Sequence, residues 1–280
     1  MQLGLIGWPV RHSLSPAMHE AAFEACGIAA TYQLRETPPD RVAETVEAMR
    51  HEGFRGWNVT VPHKAAMARL VDEAAPVAKS ANSVNTVVVE DDGLKGYSTD
   101  GYGLEQALLE AFGIEVPRAR VAFVGAGGAA RACCLYFAER GVGSLVIANR
   151  TLNRAEALLE DVRRFRSSVG GEVCSLTNRE ASRRALATAD VLVQATSLGL
   201  HEADPSPVPA DALPAGIPAM DMIYRQTAFL ELACAAGAPV ADGRGMLLHQ
   251  GARSFELWTG LDAPVEAMRR GLDGALKSTR

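Results

Sequence analysis

Val121-Ala122-Phe123-Val124-Gly125-Ala126-Gly127-Gly128-Ala129-Ala130-Arg131 carries four apolar residues into a glycine cluster and on into the alanine-rich stretch Ala129–Arg140. A short apolar run, a glycine turn and a helix-forming segment predict, in that order, a buried strand, a tight turn and a helix. Within the turn, Gly125-x-Gly127-x-x-Ala130 fits the G-x-G-x-x-(G/A) pattern. The first glycine permits the turn, the second lets a pyrophosphate approach the backbone, and the small Ala130 allows close helix–strand packing. Free N–H groups and the positive end of the helix dipole then suit phosphates. A glycine-rich turn alone is a weak sign, but the strand before it and the helix after it point to a nucleotide.

The next strand bears on which nucleotide. NAD-type sites place Asp or Glu roughly 20 residues on, to bond the ribose 2′-hydroxyl. Here the strand ends in Asn149-Arg150-Thr151, with Arg154 following. Two guanidinium groups in place of a carboxylate suit a 2′-phosphate, and cations are otherwise disfavoured at a helix start. NADP is the expected cofactor. Arg163, Arg164 and Arg166 read as a solvated helix end.

Outward from this unit, apolar runs alternate with helical patterns, which predicts an α/β fold with mostly parallel sheets. Further strands are expected at Ser144–Ala148, Val173–Leu176, Val191–Ala195, Ala219–Met222 and Pro239–Ala241, with helices Asn153–Phe165, Glu180–Thr188 and Thr227–Ala236 between them. That is a doubly wound, Rossmann-type domain. Before it, Leu3–Gly7, Ala30–Arg35, Arg55–Thr60 and Asn85–Glu90 read as strands, and Pro39–Glu52 and Lys64–Val71 as helices. Ser15 fits an N-cap, with Pro16 behind it and Gly27 closing that helix. The tail holds two helices, Leu247–Trp258 and Pro264–Leu276, with no strand to feed, and is expected to pack back across both domains. The expected division is a substrate domain over residues 1–101, completed by 246–280, and an NADP domain over 102–245. The Pro-rich stretch Asp204–Pro218 reads as a long surface loop.

The chain has 280 residues and a formal net charge of −5 without a charge block, which argues against a nucleic-acid partner. Five cysteines, odd in number and without C-x-x-C, suggest neither a disulfide framework nor a zinc site and fit a reducing cytoplasm. No metal is expected. No apolar run approaches the ~18 residues of a membrane span, and the first residues lack a signal-peptide pattern. The expectation is a soluble cytoplasmic protein, monomer or homodimer.

A second motif, Asn58-Val59-Thr60-Val61-Pro62-His63-Lys64, puts two hydrogen-bonding side chains and an amine at the end of one strand and the start of the next helix. Pro62 is read as fixing that helix start. Ligands of α/β sheets bind in this crevice position. A cap would explain Thr60, but not Asn58 together with an amine near a helix N-terminus. Asn85-Thr86 and Thr99-Asp100-Gly101 stand at further strand ends.

These residues resemble the shikimate dehydrogenases, NADP-dependent enzymes that interconvert 3-dehydroshikimate and shikimate on the chorismate route to aromatic amino acids. The resemblance runs through Ser13-Leu14-Ser15-Pro16, Asn58 to Lys64, Ser83 to Thr86, Thr99 to Gly101, Gly125 to Arg131, Asn149 to Thr151, Ala195 to Ser197, Asp221 to Tyr224 and Asp242 to Gly251. It implies that Ser13 and Ser15 hold the substrate carboxylate. It implies further that Asn58, Thr60, Lys64, Asn85, Asp100 and Gln250 bind ring hydroxyls, with Tyr224 nearby, and that Lys64 and Asp100 are the catalytic pair. For the cofactor it implies Gly125, Ala126, Gly127, Gly128, Ala129, Asn149, Arg150, Thr151, Arg154, Thr196, Met222 and Gly243. Lys64 would donate the proton to the carbonyl oxygen as hydride arrives, with Asp100 orienting the amine.

Three departures stand out: Gln194 where asparagine usually precedes Ala-Thr-Ser, Ser98 for asparagine before Thr-Asp-Gly, and a loop after Tyr224 about two residues short. The rival readings are a quinate/shikimate dehydrogenase of broader specificity, against which Arg150 argues, and a methylenetetrahydrofolate dehydrogenase, which would not need Ser13 and Ser15. A third is a non-catalytic NADP-sensing paralogue, which losing Lys64 or Asp100 would mark.

Overall fold

The computed structural model describes residues 1–278. They form two compact units, residues 1–103 with 248–278 and residues 104–247.

In the first unit β1 (Gln2–Gly7), α1 (Ser15–Ala25), β2 (Thr31–Glu36), α2 (Val42–His51), β3 (Phe54–Val59) and α3 (Lys64–Leu70) follow one another. After them come β4 (Glu73–Ala74), α4 (Pro76–Ala81), β5 (Thr86–Glu90), β6 (Gly93–Tyr97) and the start of α5 (Asp100–Phe112). The strands form one sheet in the order β2-β1-β3-β5-β6-β4. β1 lies parallel to β2 and β3, whereas β5 runs antiparallel to β3 and β6. The sequence signals missed β4, α4 and β6. A strand of two residues has no periodicity to read, and Gly93-Leu94-Lys95-Gly96-Tyr97 has too few apolar residues to stand out. The expected helix Pro39–Glu52 is a 3-10 turn at Pro39–Arg41 followed by α2. Val42, Val46 and Met49 on α2 recur at helical spacing and pack with Ile6, Phe54, Trp57, Val59 and Met67 in one buried cluster.

The second unit continues from α5 through β7 (Arg120–Val124), α6 (Gly128–Arg140), β8 (Ser144–Asn149), α7 (Leu152–Phe165) and β9 (Gly170–Ser175). It ends with α8 (Arg179–Leu186), β10 (Val191–Gln194), β11 (Ala219–Asp221), α9 (Ala228–Ala235) and β12 (Val240–Ala241). All pairings in its sheet are parallel, in the order β12-β11-β10-β7-β8-β9. The chain's order reverses between β7 and β10, the switch point at which such sheets bind ligands. Strands buried on both faces explain why runs such as Val121–Val124 are continuously apolar. The stretch Asp204–Pro218 is not simply a surface loop, because Val208, Ala212 and Leu213 are buried in this unit's core beside a 3-10 turn at Ala210–Ala212.

The last helices are α10 (Arg244–Thr259) and α11 (Val265–Ser278). From Leu248 onward they belong to the first unit, where α11 packs along α1. Among the described residues no helix is long and apolar enough to cross a membrane, and no group of His, Cys, Asp or Glu is arranged to hold a metal ion.

Candidate active site

Lys64 is the first residue of α3, and two contacts fix where that helix begins. The N-cap position is His63, a buried residue whose ring Nε2 lies 2.6 Å from the Thr37 carbonyl oxygen. The Lys64 carbonyl accepts from the Val84 N–H at 3.0 Å, which ties the helix to the segment carrying Asn85. Pro62, expected to open the helix, stands before the N-cap instead, so the turn is set by His63.

Lys64 Nζ donates to Asp100 Oδ2 at 2.7 Å. Asp100 is 4% exposed and opens α5, where the helix dipole favours a carboxylate. Its other oxygen accepts from Asn85 Nδ2 at 2.9 Å. Asn85 Nδ2 also lies 3.0 Å from Thr99 Oγ1 and 3.4 Å from Gln250 Oε1, while Asn85 Oδ1 accepts from the Thr99 N–H at 2.8 Å. The lysine side chain keeps 25% of its surface open. A cation held against a buried carboxylate, with its tip reaching solvent, can give a proton to a ligand oxygen placed there.

Around this pair the first unit gathers Asn58, Thr86, Thr99, Gln250 and Ser254. Asn58 is buried and bonded to Tyr32, Thr86, Ser254 and the Asn85 carbonyl. Gln250, Ser254 and Trp258 recur every four residues, so one face of α10 meets Asn85 and Thr99, then Asn58 and Thr86, then the Val87 carbonyl, which accepts from Trp258 Nε1 at 2.9 Å. A Cβ on Gly56 would run into the Trp258 indole, which is why a glycine stands there.

Ser13 and Ser15 sit at the start of α1, and Ser15 is not the N-cap expected there. Leu14 is the N-cap residue, Ser15 lies inside the helix without a side-chain cap, and Ser13 Oγ accepts from the Ser15 N–H at 3.3 Å. The chain enters the helix one residue early, so Ser15 is buried and its hydroxyl is not used for capping. Thr60 is half-buried, its N–H bonded to the Ile6 carbonyl at 2.9 Å. Tyr224 belongs to the second unit, past the end of β11, and is exposed.

In the second unit Gly125 has φ +110°, a conformation that favours glycine, and a Cβ there would stand 2.8 Å from Thr196 Cγ2. A Cβ on Gly127 or Gly128 would meet nothing within 4 Å. Open space in front of the N–H groups opening α6 is what a pyrophosphate requires. Arg150 directly follows β8 and Arg154 lies in the first turn of α7. Both are exposed, and among the described residues neither makes an ion pair. Asn149 Nδ2 donates to the Thr151 carbonyl at 2.7 Å, shaping the turn between them.

Two neighbouring loops are tied together by Gln194, one of the departures noted above. Its Oε1 accepts from the Thr196 N–H, and its Nε2 donates to the Leu198 carbonyl at 2.8 Å and to both Asp221 oxygens at 3.3 Å. Asp221 also accepts from Thr227 Oγ1 at 2.7 Å and from the Ile223 N–H at 2.9 Å. Burial holds its carboxyl above the usual range, opposed by these donors. The Gly243 N–H bonds the Ile223 carbonyl at 3.0 Å, and a Cβ on Gly243 would collide with the Met222 carbonyl. Gln194, Asp221, Ser254, Tyr32 and His19 were not singled out as site residues. Only Ser254 carried a usable sign, the four-residue spacing from Gln250.

The family description "Shikimate dehydrogenase substrate binding domain" matches residues 5–87, "Shikimate / quinate 5-dehydrogenase" matches 107–201 and "Shikimate 5'-dehydrogenase C-terminal domain" matches 243–270. A relative from Rubrobacter xylanophilus, "Shikimate dehydrogenase (NADP(+))", is 43% identical, with 97% of this chain and 95% of the relative covered. This chain belongs to the shikimate dehydrogenase family. Two solved shikimate dehydrogenases share its fold. The Listeria monocytogenes protein in complex with shikimate and NAD has a TM-score of 0.88 at 34% identity, covering 96% of this chain and 95% of that one. The Thermus thermophilus protein in complex with NADP(H) and shikimate has a TM-score of 0.85 at 35% identity, covering 98% and 99%.

Proposed function

We propose that this chain is an NADP-dependent shikimate dehydrogenase, an oxidoreductase that reversibly reduces 3-dehydroshikimate to shikimate for aromatic amino acid biosynthesis. The observation that carries the reading is the Lys64–Asp100–Asn85 arrangement, with its 2.7 Å and 2.9 Å contacts, in a chain of this family. The first unit takes the substrate and the second takes NADP. The residues of the second unit suit that cofactor: space in front of Gly127 and Gly128 for the pyrophosphate, and the guanidinium groups of Arg150 and Arg154 for a 2′-phosphate.

NADPH, when bound, supplies the hydride that reduces the C3 carbonyl of the substrate. Lys64 gives its proton to the oxygen on which negative charge develops and takes one back in the oxidative direction. Asp100 orients the amine while its second oxygen stays bonded to Asn85, so the pair keeps one geometry. Ser13 and Ser15 offer hydroxyl donors to the carboxylate, and Asn58, Thr60, Asn85 and Gln250 contact the ring hydroxyls. Five free cysteines, three of them buried, suit a reducing cytoplasm, where the chain acts as a monomer or homodimer.

The test is NADP reduction at alkaline pH with shikimate, compared with quinate and with NAD as the alternative acceptor. Turnover with shikimate and NADP, and much less with either substitute, is expected. Comparable turnover of quinate would shift the reading to a quinate/shikimate dehydrogenase. No turnover by a folded protein that still binds NADP would make it a non-catalytic paralogue.

A further inference from the structure

The Asn58 amide is almost wholly committed inside the protein. Its Oδ1 accepts from the Tyr32 hydroxyl at 2.7 Å. Its Nδ2 faces Ser254 Oγ at 2.9 Å, Thr86 Oγ1 at 3.0 Å and the Asn85 carbonyl at 3.2 Å. A backbone carbonyl can only accept, so the amide nitrogen must face Asn85 and the oxygen must face the phenol. Two N–H hydrogens are divided among three internal acceptors, and His19 is a further polar neighbour of the amide.

Both holding groups come from far along the chain. Tyr32 stands opposite Leu3, and Asn58 opposite Leu5, so the tyrosine reaches from β2 past β1 to β3 on one face of the sheet, about two strand spacings of ~4.8 Å. Ser254 donates to the Gln250 carbonyl at 3.0 Å, and its oxygen is therefore free to accept from Asn58. The Ser15 side chain is a second polar neighbour of the Tyr32 hydroxyl. One phenol thus bonds the amide read as a ring-hydroxyl contact and has as a neighbour the serine read as a carboxylate contact.

We propose that Tyr32 and Ser254 are positioning residues of the substrate site, gripping the Asn58 amide from opposite sides so that it meets the substrate in one fixed orientation. Without the phenol, Oδ1 loses its buried donor and the amide is held from the nitrogen side alone. Without the serine, one anchor of the nitrogen is gone. The proposal rests on reading Asn58 as a substrate contact, and the test separates the two.

Steady-state kinetics of the full chain with shikimate and NADP would compare wild type, Tyr32→Phe, Ser254→Ala, Asn58→Ala and the Tyr32→Phe/Asn58→Ala double variant. Loss of one such hydrogen bond is expected to raise KM for shikimate about three- to thirtyfold in Tyr32→Phe, with kcat and KM for NADP held within about twofold. Ser254→Ala should move in the same direction. The double variant should be no worse than Asn58→Ala alone, because the phenol acts through the amide. A purely structural role would lower Tm and leave the KM values of the two substrates unsplit. An unchanged KM for shikimate in Tyr32→Phe and Ser254→Ala, beside a raised one in Asn58→Ala, overturns the proposal, as does additivity in the double variant. If Asn58→Ala itself leaves KM unchanged, the assignment of Asn58 falls and the proposal with it. Should Tyr32→Phe not fold, Ser254→Ala decides alone.

Discussion

Replacing His19 by phenylalanine should make the first unit less sensitive to acid. His19 lies on α1 four residues after Ser15 and is fully buried. Its ring stacks on Tyr32, centroids 4.5 Å apart and planes 12° from parallel, and lies 5.3 Å from the Trp258 ring. Burial pushes its pKa from 6.5 down to about 3, offset only in part by Asn58. As pH falls, the unfolded chain takes up the proton first, so this histidine's contribution is intact above about 6.5 and drains away progressively towards about 3. The full window corresponds to roughly 5 kcal/mol, and the part between pH 7 and pH 5 to roughly 2 kcal/mol. The three tryptophans, Trp8, Trp57 and Trp258, all lie in the first unit, so tryptophan fluorescence in guanidinium chloride reports that unit. Unfolding curves at pH 7, 6 and 5 should show the wild type losing about 2 kcal/mol more than His19→Phe over that range. Any overpacking by the larger ring, about 1–3 kcal/mol, acts equally at each pH and drops out of the slope. Parallel slopes for the two proteins would refute the reasoning and mean that His19 titrates normally or not at all in both states.

Lys64→Ala should lower kcat about 10²- to 10⁴-fold under saturating shikimate, the loss typical of a general acid–base; a near-normal kcat with raised KM would leave Lys64 as a hydroxyl contact only. Arg150→Ala should raise KM for NADP about ten- to a hundredfold and leave NAD untouched, measured as the ratio of the two kcat/KM values. Gly125→Ala, forced to φ +110° and facing Thr196, should destabilise the second unit by about 1–2 kcal/mol. Gly127→Ala should keep Tm but weaken NADP about tenfold or more, because the added methyl enters space that is open in the protein. Thermal melts followed by circular dichroism, set beside NADP titration, check both glycine variants.

The parts legible in the sequence are those whose signal is local. β7, its glycine turn and α6 could be read together because a strand covered on both faces must be apolar throughout and the turn must contain glycine. Lys64 stands out as an amine at a helix start, Asn85 and Asp100 as turn-like polar residues at strand ends that gain roles only from the family resemblance, and the structure joins both Lys64 and Asn85 to Asp100. What escaped depends on distance along the chain. Tyr32 looks like any strand aromatic until β1 places it across from Asn58, and Ser254 looks like any helix serine until α10 is laid on the sheet. His19 carries no sign in sequence of being fully buried. The misplaced cap at Ser15 has another cause: a cap is decided by where helical backbone begins, and one residue of difference moves the N-cap position to Leu14.

The first unit is interrupted in sequence, with the whole second unit inserted before Leu248. During synthesis the ribosome therefore delivers all of the second unit before the helix face bearing Gln250, Ser254 and Trp258. Chains fold domain by domain from the N-terminus as they emerge, at about 5–20 residues per second. The nascent first sheet must accordingly wait while roughly 150 residues are translated, some 7–30 s at those rates, with Gly56, Asn58 and Thr86 uncovered and Asn85 missing its glutamine. The second unit, whose sheet lies wholly within Leu104–Leu247, is complete in sequence by the end of that interval. The unit that holds Lys64 is thus the first begun and the last finished.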